Sequence, residues 1–340
     1  MDEELFVRYE EREEQTRQLA EEDHEESDVE EEEEADPTRV CWRNVSKDER
    51  RCKILCGFTP QEFLRLFDVV ECVMEDLSGR GRRSKLTKQD KLFITLAYLK
   101  HYETMDEIKN TFSVSKSALC HMLENTILAI APALYDYFVV HLDEALGEEA
   151  DVEGQFRPEM KYLIDVTFQS IWTPTGTRSD SRSYFSEVHR MYGLKSLCMH
   201  DRKGRVVLIL SSEPASVPNS RICLDNVEAV NAILAPHDHA MEEEEEEWSV
   251  LVDSEHHALE ARVNIVIPYR KQGRKALTPE QLQFNEQLAS ERKICQLFYK
   301  QMKTKFRIMS SKYRNARDDY HNVFQLCVAL TNFYIILHPL

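Results

Sequence analysis

The chain has 340 residues, a formal net charge of -18 and 42% hydrophobic residues, enough apolar mass for about two domains. Nine scattered cysteines, none in a Cys-x-x-Cys pair, argue against a disulfide scaffold or paired zinc fingers. No run reaches the ~18 apolar residues that span a bilayer, and Met1-Asp-Glu-Glu lacks the basic and apolar regions of a secretory signal. The expectation is a soluble chain in a reducing compartment, with no membrane partner.

The charge is unevenly placed. Residues 1–38 form an acidic arm, and Met1–Asp36 alone carries about 16 net negative charges. Like charges at this density repel, and little apolar area offsets the entropy of ordering. The plain reading is a solvated arm; the sharper one is an arm that docks on a basic protein partner or mimics nucleic acid. Without the arm and the Glu242–Glu247 run, the remainder is about +4, a balance that tolerates a polyanion.

Helical spacing begins at Thr59-Pro60-Gln61-Glu62, a cap, a proline at the first helical position and an acid at the third. A basic linker, Gly79 to Lys85, leads to a second cap at Thr87-Lys88-Gln89-Asp90. Thr104–Phe112, the turn Ser113-Val114-Ser115 and a helix from Lys116 to Ile127 have the shape of a helix-turn-helix. Further helix over Leu123–Val139 completes an all-α domain over 55–146. Any αα-hairpin shares this shape, but the neighbouring linker favours DNA as partner. Arg80, Arg82, Arg83, Lys85 and Lys116 are the candidate phosphate contacts.

Gly147–Gly154 reads as an acidic linker, and the second domain spans 158–340. Lys161–Phe168 is a short apolar strand with Asp165 in its middle. A buried acid is costly unless paired, hydrogen-bonded or metal-bound, so Asp165 is either a satisfied polar residue near a strand end or a ligand. Tyr192–Met199 and Arg205–Ser211 flank a tight turn and predict a hairpin. Ser220–Leu234 predicts one amphipathic helix. Trp248–Asp253 is a second apolar strand that ends on an acid, and Val263–Pro268 a third. Lys271–Lys275 is a basic loop. A long helix is expected from Thr278 toward Met309, and an apolar core helix over Asp318–His338. His237, His239, His256 and His257 lack the spacing of a zinc site and read as loop histidines.

Two strands that each carry an aspartate can bring two carboxylates to one cation, and hard oxygen ligands suit Mg²⁺ or Mn²⁺. Two such ions support phosphodiester cleavage. A hairpin, a helix, a strand and a C-terminal helix around an acid-bearing strand predict an α/β, ribonuclease-H-like mixed sheet behind the all-α helix-turn-helix domain.

From Thr59 onward the order of motifs resembles the PIF/Harbinger transposases and proteins derived from them, which carry a DDE endonuclease domain. Ile164-Asp165-Val166-Thr167 is similar to the first-acid strand and Val250-Leu251-Val252-Asp253 to the second. Met302-Lys303-Thr304-Lys305-Phe306 is similar to the stretch after the third acid. The resemblance implies a nuclear DNA-binding protein with metal ligands Asp165 and Asp253, and it sets Gln296 at the third-acid position. Other departures are Tyr299-Lys300 for Phe-Gly, Ser254-Glu255-His256 for Ser-Gly-Tyr, Asn219 for an Asp, and Leu330-Thr331-Asn332 for Leu-His-Asn. Glutamine offers one neutral oxygen where a metal pair needs charge. Two readings follow: a Mg²⁺- or Mn²⁺-dependent DNA endonuclease, or a decayed or domesticated DNA- or protein-binding factor. The glutamine favours weak or absent catalysis.

Overall fold

Caps written in the sequence start most of the longer helices. In the computed structural model, which describes residues 40–75, 86–141, 160–175, 178–235, 248–253, 259–271, 273 and 275–340, α1 (Trp42–Val45), α2 (Glu49–Cys56) and α3 (Pro60–Glu75) come first. They are followed by α4 (Lys88–His101), α5 (Met105–Phe112) and α6 (Lys116–Tyr135), the last continued by a π-helical turn over Asp136–Val140. Thr87 with Asp90 and Thr104 with Glu107 close reciprocal capping boxes, and Ser115 caps α6. Each satisfies backbone N–H groups that a helix start leaves open. Ser113 takes the left-handed conformation (φ 54) between α5 and α6, where the turn demands it. The short helices α1 and α2 precede the first helical pattern expected from the sequence. Asp48 caps α2 and Gly57 (φ 89) ends it, but only a narrow stripe, including Trp42, Cys52 and Cys56, faces the core.

The remaining elements are β1 (Met160–Ser170), α7 (Arg178–Ser183), β2 (Phe185–Ser186), β3 (Met191–His200), β4 (Val206–Pro214), α8 (Asn219–Asp225) and α9 (Val227–Leu234). Then come β5 (Ser249–Leu251), β6 (Ile265–Val266), α10 (Pro279–Glu291), α11 (Lys293–Lys305), α12 (Arg307–Ser310) and α13 (Tyr320–Leu337). The strands form a mixed sheet in the order β2-β3-β1-β5-β6, with β4 also on β3. β3 and β4 are the expected hairpin, and β1 is antiparallel to β3 and parallel to β5. This mixed α/β architecture is the one expected of a ribonuclease-H-like domain. At Gly193, opposite Ser170, a Cβ would lie 2.2 Å from the Phe168 ring, so only glycine lets β1 and β3 pair there.

Two helices differ from expectation. Ser220–Leu234 is broken at Asn226, whose side-chain amide donates to the Ile222 carbonyl (2.8 Å). An asparagine amide competes with the backbone for such partners and interrupts helices. The expected helix from Thr278 to Met309 is three pieces. Arg292 separates α10 from α11 while keeping a right-handed helical backbone (φ -64, ψ -16), and Phe306 turns extended (φ -119, ψ 103) with its ring completely buried.

The helical region and the sheet share one apolar core, because α13 packs on α6 and also on β4. α13 and the α6 helix with its π-helical extension are long and apolar enough to cross a membrane by length and composition; α13 lies mostly buried within the protein. Asn332 of α13 fixes the joint. Its Oδ1 accepts from Val206 N–H (3.0 Å), and its Nδ2 donates to the carbonyls of Val206 (2.7 Å) and Phe138 (2.9 Å). One fully buried amide thus ties α13, the end of the α6 helix and β4 together.

Candidate active site and nucleic-acid interface

The strand register sets the two acids side by side. β1 and β5 run parallel with Leu163 opposite Leu251. Two residues on from each, Asp165 and Asp253 lie level and on the same face, since strand side chains alternate. Asp253 is two residues beyond the end of β5, and its side chain is 46% exposed, against 10% for Asp165.

Both acids meet one cation, and it belongs to the chain. Arg292, at the junction of α10 and α11, donates Nη2 to Asp165 Oδ1 (2.7 Å), and its Nη1 lies 3.3 Å from Asp253 Oδ2. Burial works against the guanidinium charge, but the neighbouring carboxylates, Asp165 first, hold its pKa above the ordinary arginine value. Sequence reasoning missed Arg292, because nothing local marks it: its partners are 127 residues away at Asp165 and on a second strand.

Behind this pair the side chains are buried. The Tyr299 hydroxyl lies 3.1 Å from the Asp165 carbonyl oxygen and 3.1 Å from Nε2 of His200. Nδ1 of His200 donates to the Gly204 carbonyl (3.1 Å), since that oxygen can only accept. The single Tyr299 proton goes to the Asp165 carbonyl, an oxygen that can only accept, and neutral His200 sets its unprotonated Nε2 beside that hydroxyl. Burial pushes the His200 pKa down to about 4, and burial first, then nearby Cys198, pushes the Tyr299 phenol well up.

Gln296 sits one turn after Arg292 on α11, and its side chain is exposed. The buried side of α11 is Cys295, Phe298, Tyr299 and Met302. Glu291 is buried at the end of α10, where its Oε1 accepts from Gln287 (3.2 Å). Asn219 opens α8, and its Oδ1 accepts from Lys195 Nζ (2.6 Å), so the amide oxygen keeps a cationic partner.

The helices α4, α5 and α6 supply the helix-turn-helix. Lys116 begins α6, is exposed, and pairs with Asp106 of α5 (2.9 Å). Ser117, Cys120, His121 and Glu124 are exposed beyond it on α6. Arg80, Arg82, Arg83 and Lys85 lie outside the described residues, as do the acidic arm and His237, His239, His256 and His257.

Comparison with known proteins agrees with this layout. Residues 164–332 match the family described as DDE superfamily endonuclease, and residues 84–134 match the helix-turn-helix of DDE superfamily endonuclease. A curated relative, described as a probable transposase for insertion sequence element IS702 from Microchaete diplosiphon, is 20% identical, with 85% of this chain and 95% of that protein covered. No solved structure matches the chain. The first match opens one residue before Asp165 and ends on Asn332; the second spans α4 to α6.

The DDE endonuclease superfamily typically uses divalent metal ions. The donor set described here does not fit a pair of them. Asp165 and Asp253 are engaged by Arg292, Gln296 is neutral and faces solvent, and among the described residues no group of three His, Cys, Asp or Glu side chains could hold a metal ion. A guanidinium between the carboxylates repels a dication and takes one oxygen of each.

Proposed function

Starting from a DDE superfamily endonuclease domain joined to the helix-turn-helix of that superfamily, we propose that this is a transposase-derived, PIF/Harbinger-like nuclear protein that binds duplex DNA and cleaves it weakly or not at all. The observation that carries this reading is the Arg292 bridge between Asp165 and Asp253. Two carboxylates that would hold Mg²⁺ or Mn²⁺ instead share one internal cation, which halves their net charge. At the third-acid position Gln296 adds no charge. The helix-turn-helix keeps its caps and its exposed α6 face, and the basic linker that carries Arg80, Arg82, Arg83 and Lys85 precedes it in sequence. DNA recognition and the acidic arm's attraction for a basic protein partner are the functions that remain.

The test is a nicking assay on supercoiled plasmid with Mg²⁺ and with Mn²⁺, run on wild type, Gln296→Glu and Asp165→Ala. Wild type is expected at background. Robust wild-type cleavage that Asp165→Ala abolishes would overturn the reading and favour a working endonuclease in which Arg292 swings away. Duplex binding is tested separately. Neutralising Arg80, Arg82, Arg83, Lys85 and Lys116 is expected to weaken affinity and flatten its salt dependence, because fewer counterions are released. Unchanged binding would place the DNA surface elsewhere.

A further inference from the structure

The acid pair and the helix-turn-helix leave one feature of the chain unused. Arg307-Ile308-Met309-Ser310-Ser311-Lys312-Tyr313-Arg314-Asn315-Ala316-Arg317 holds four cations and no acid. It runs from α12 past the far end of β1. There Tyr313 N–H donates to the Ser170 carbonyl (2.9 Å), and Ile171 and Tyr313 form a parallel bridge.

Two aromatic residues at the end of the sheet meet cations of this segment. Trp172, just past β1, is 61% exposed, and Lys312 Nζ stands 4.5 Å from the centre of its ring. Tyr184 carries the Arg317 guanidinium 4.6 Å from its ring centre. The backbone sets both aromatics at the same end of the sheet. Ile171 N–H donates to the Tyr192 carbonyl (3.0 Å), and Gly193 N–H donates to that of Tyr184 (2.8 Å).

The segment also reaches the helix-turn-helix. The Arg314 guanidinium lies on the Tyr102 ring (4.1 Å) and donates to the carbonyls of Tyr102 and Glu103, at the turn between α4 and α5. Arg314 and Arg307 are near enough to Glu107 of α5 to pull its carboxyl pKa down, behind its own bonds to Thr104. The basic segment is therefore continuous with the DNA-binding region rather than remote from it.

We infer that Trp172 with Lys312, and Tyr184 with Arg317, form a second nucleic-acid contact that takes single-stranded DNA. The tryptophan is the stacking platform for an unpaired base. A large exposed ring costs solvation and is not needed by the core. Cations beside a ring suit a base whose phosphates lie alongside, and they add cation–π attraction of their own. A duplex hides its base faces, so a stacking platform selects unpaired bases. Lys312 and Arg317 bind phosphate without reading sequence, so the contact tolerates any base. This site is independent of whether the acid pair cleaves.

The experiment uses the full chain and a fluorescein-labelled oligothymidylate of roughly 16 nucleotides, with a duplex of equal length as competitor. Trp172→Ala is expected to weaken single-strand binding about tenfold or more. It should also remove the tryptophan quenching that accompanies binding, since Trp42 is buried in the helical core and Trp248 is covered by Lys161. Trp172→Phe should keep most of the affinity. Lys312→Ala with Arg317→Ala should reduce the salt slope by about 1.4, the contribution of two phosphate contacts. All variants should melt as wild type does. Unaltered single-strand affinity and quenching in Trp172→Ala would overturn the proposal. So would an equal loss of single-strand and duplex binding, or a change of mass in light scattering without a change in DNA affinity, which would make Trp172 a contact between copies.

Discussion

The helix-turn-helix and the acid pair are built by opposite means. In the helix-turn-helix each helix start is closed by a residue three positions away, Thr87 with Asp90 and Thr104 with Glu107, and the ion pair of Lys116 with Asp106 spans 10 residues. At the acid pair no partner is local: Arg292 reaches Asp165 across 127 residues, and Tyr299 reaches the Asp165 carbonyl across 134. Local capping sets where helices begin and is worth about 1 kcal/mol each time. Long-range pairing sets which side chains meet, and it fails only when the whole fold is disturbed. The site's chemistry therefore depends on joints far from it, whereas the starts of the helix-turn-helix helices are set locally.

The joint at Asn332 puts that contrast under the greatest strain. Asn332→Leu removes one acceptor and two donated bonds from a fully buried position and leaves Val206 and Phe138 backbone groups unpaired. A loss of about 3–5 kcal/mol is expected in urea unfolding. Helix content and tyrosine fluorescence should fall in one transition, because both regions share the α13 core. Two separate transitions would mean that the helix-turn-helix stands alone.

Acid should act next. His200 is neutral in the fold, with its pKa pushed from 6.5 to about 4 by burial. The unfolded chain binds a proton below pH 6.5 that the folded chain refuses, so this contribution is present above pH 6.5 and is lost as pH falls toward 4. The loss should approach roughly 3 kcal/mol. Comparing stability at pH 7 and pH 4.5 in wild type and His200→Phe checks it: the variant should show the smaller drop. An equal drop would assign the acid sensitivity to other groups.

Arg292→Ala should cost about 2 kcal/mol. Asp165 loses a nearly buried partner, but Asp253 is half in water and screened. Removal of the internal cation should also open the acid pair to an external one. Mn²⁺ is expected to raise the melting midpoint of Arg292→Ala and leave that of wild type unmoved, an effect that Asp165→Ala should erase. A Mn²⁺ shift in wild type would mean that Arg292 yields readily. The smallest effect belongs to the local side of the contrast. Thr104→Ala opens the α5 capping box for about 1 kcal/mol and should leave the acid pair's response to Mn²⁺ unchanged.

Caps, turn and strand patterns made most elements legible from Thr59 onward, and two apolar strands that each carry an aspartate made the pairing of Asp165 with Asp253 legible too. The breaks at Asn226 and Phe306 were not. The first comes from a side chain competing for the helix backbone, and the second from a ring that the core draws out of the helix axis. Arg292 was invisible for a related reason. Position in a heptad or on a strand face is a property of neighbours in sequence, whereas a charge partner is chosen by what the fold brings alongside.

By itself the sequence determined that one acid would stand on a strand and a second just past another, and that a capped helix pair would precede them, because periodicity and capping act within a few residues. Only the tertiary structure decided that α13 joins both regions into one core, that Gln296 faces solvent, and that an arginine rather than an open space lies between the two aspartates. These depend on strand register and on where α11 packs against β1. Packing of the whole chain sets that placement, and no short stretch of residues encodes it.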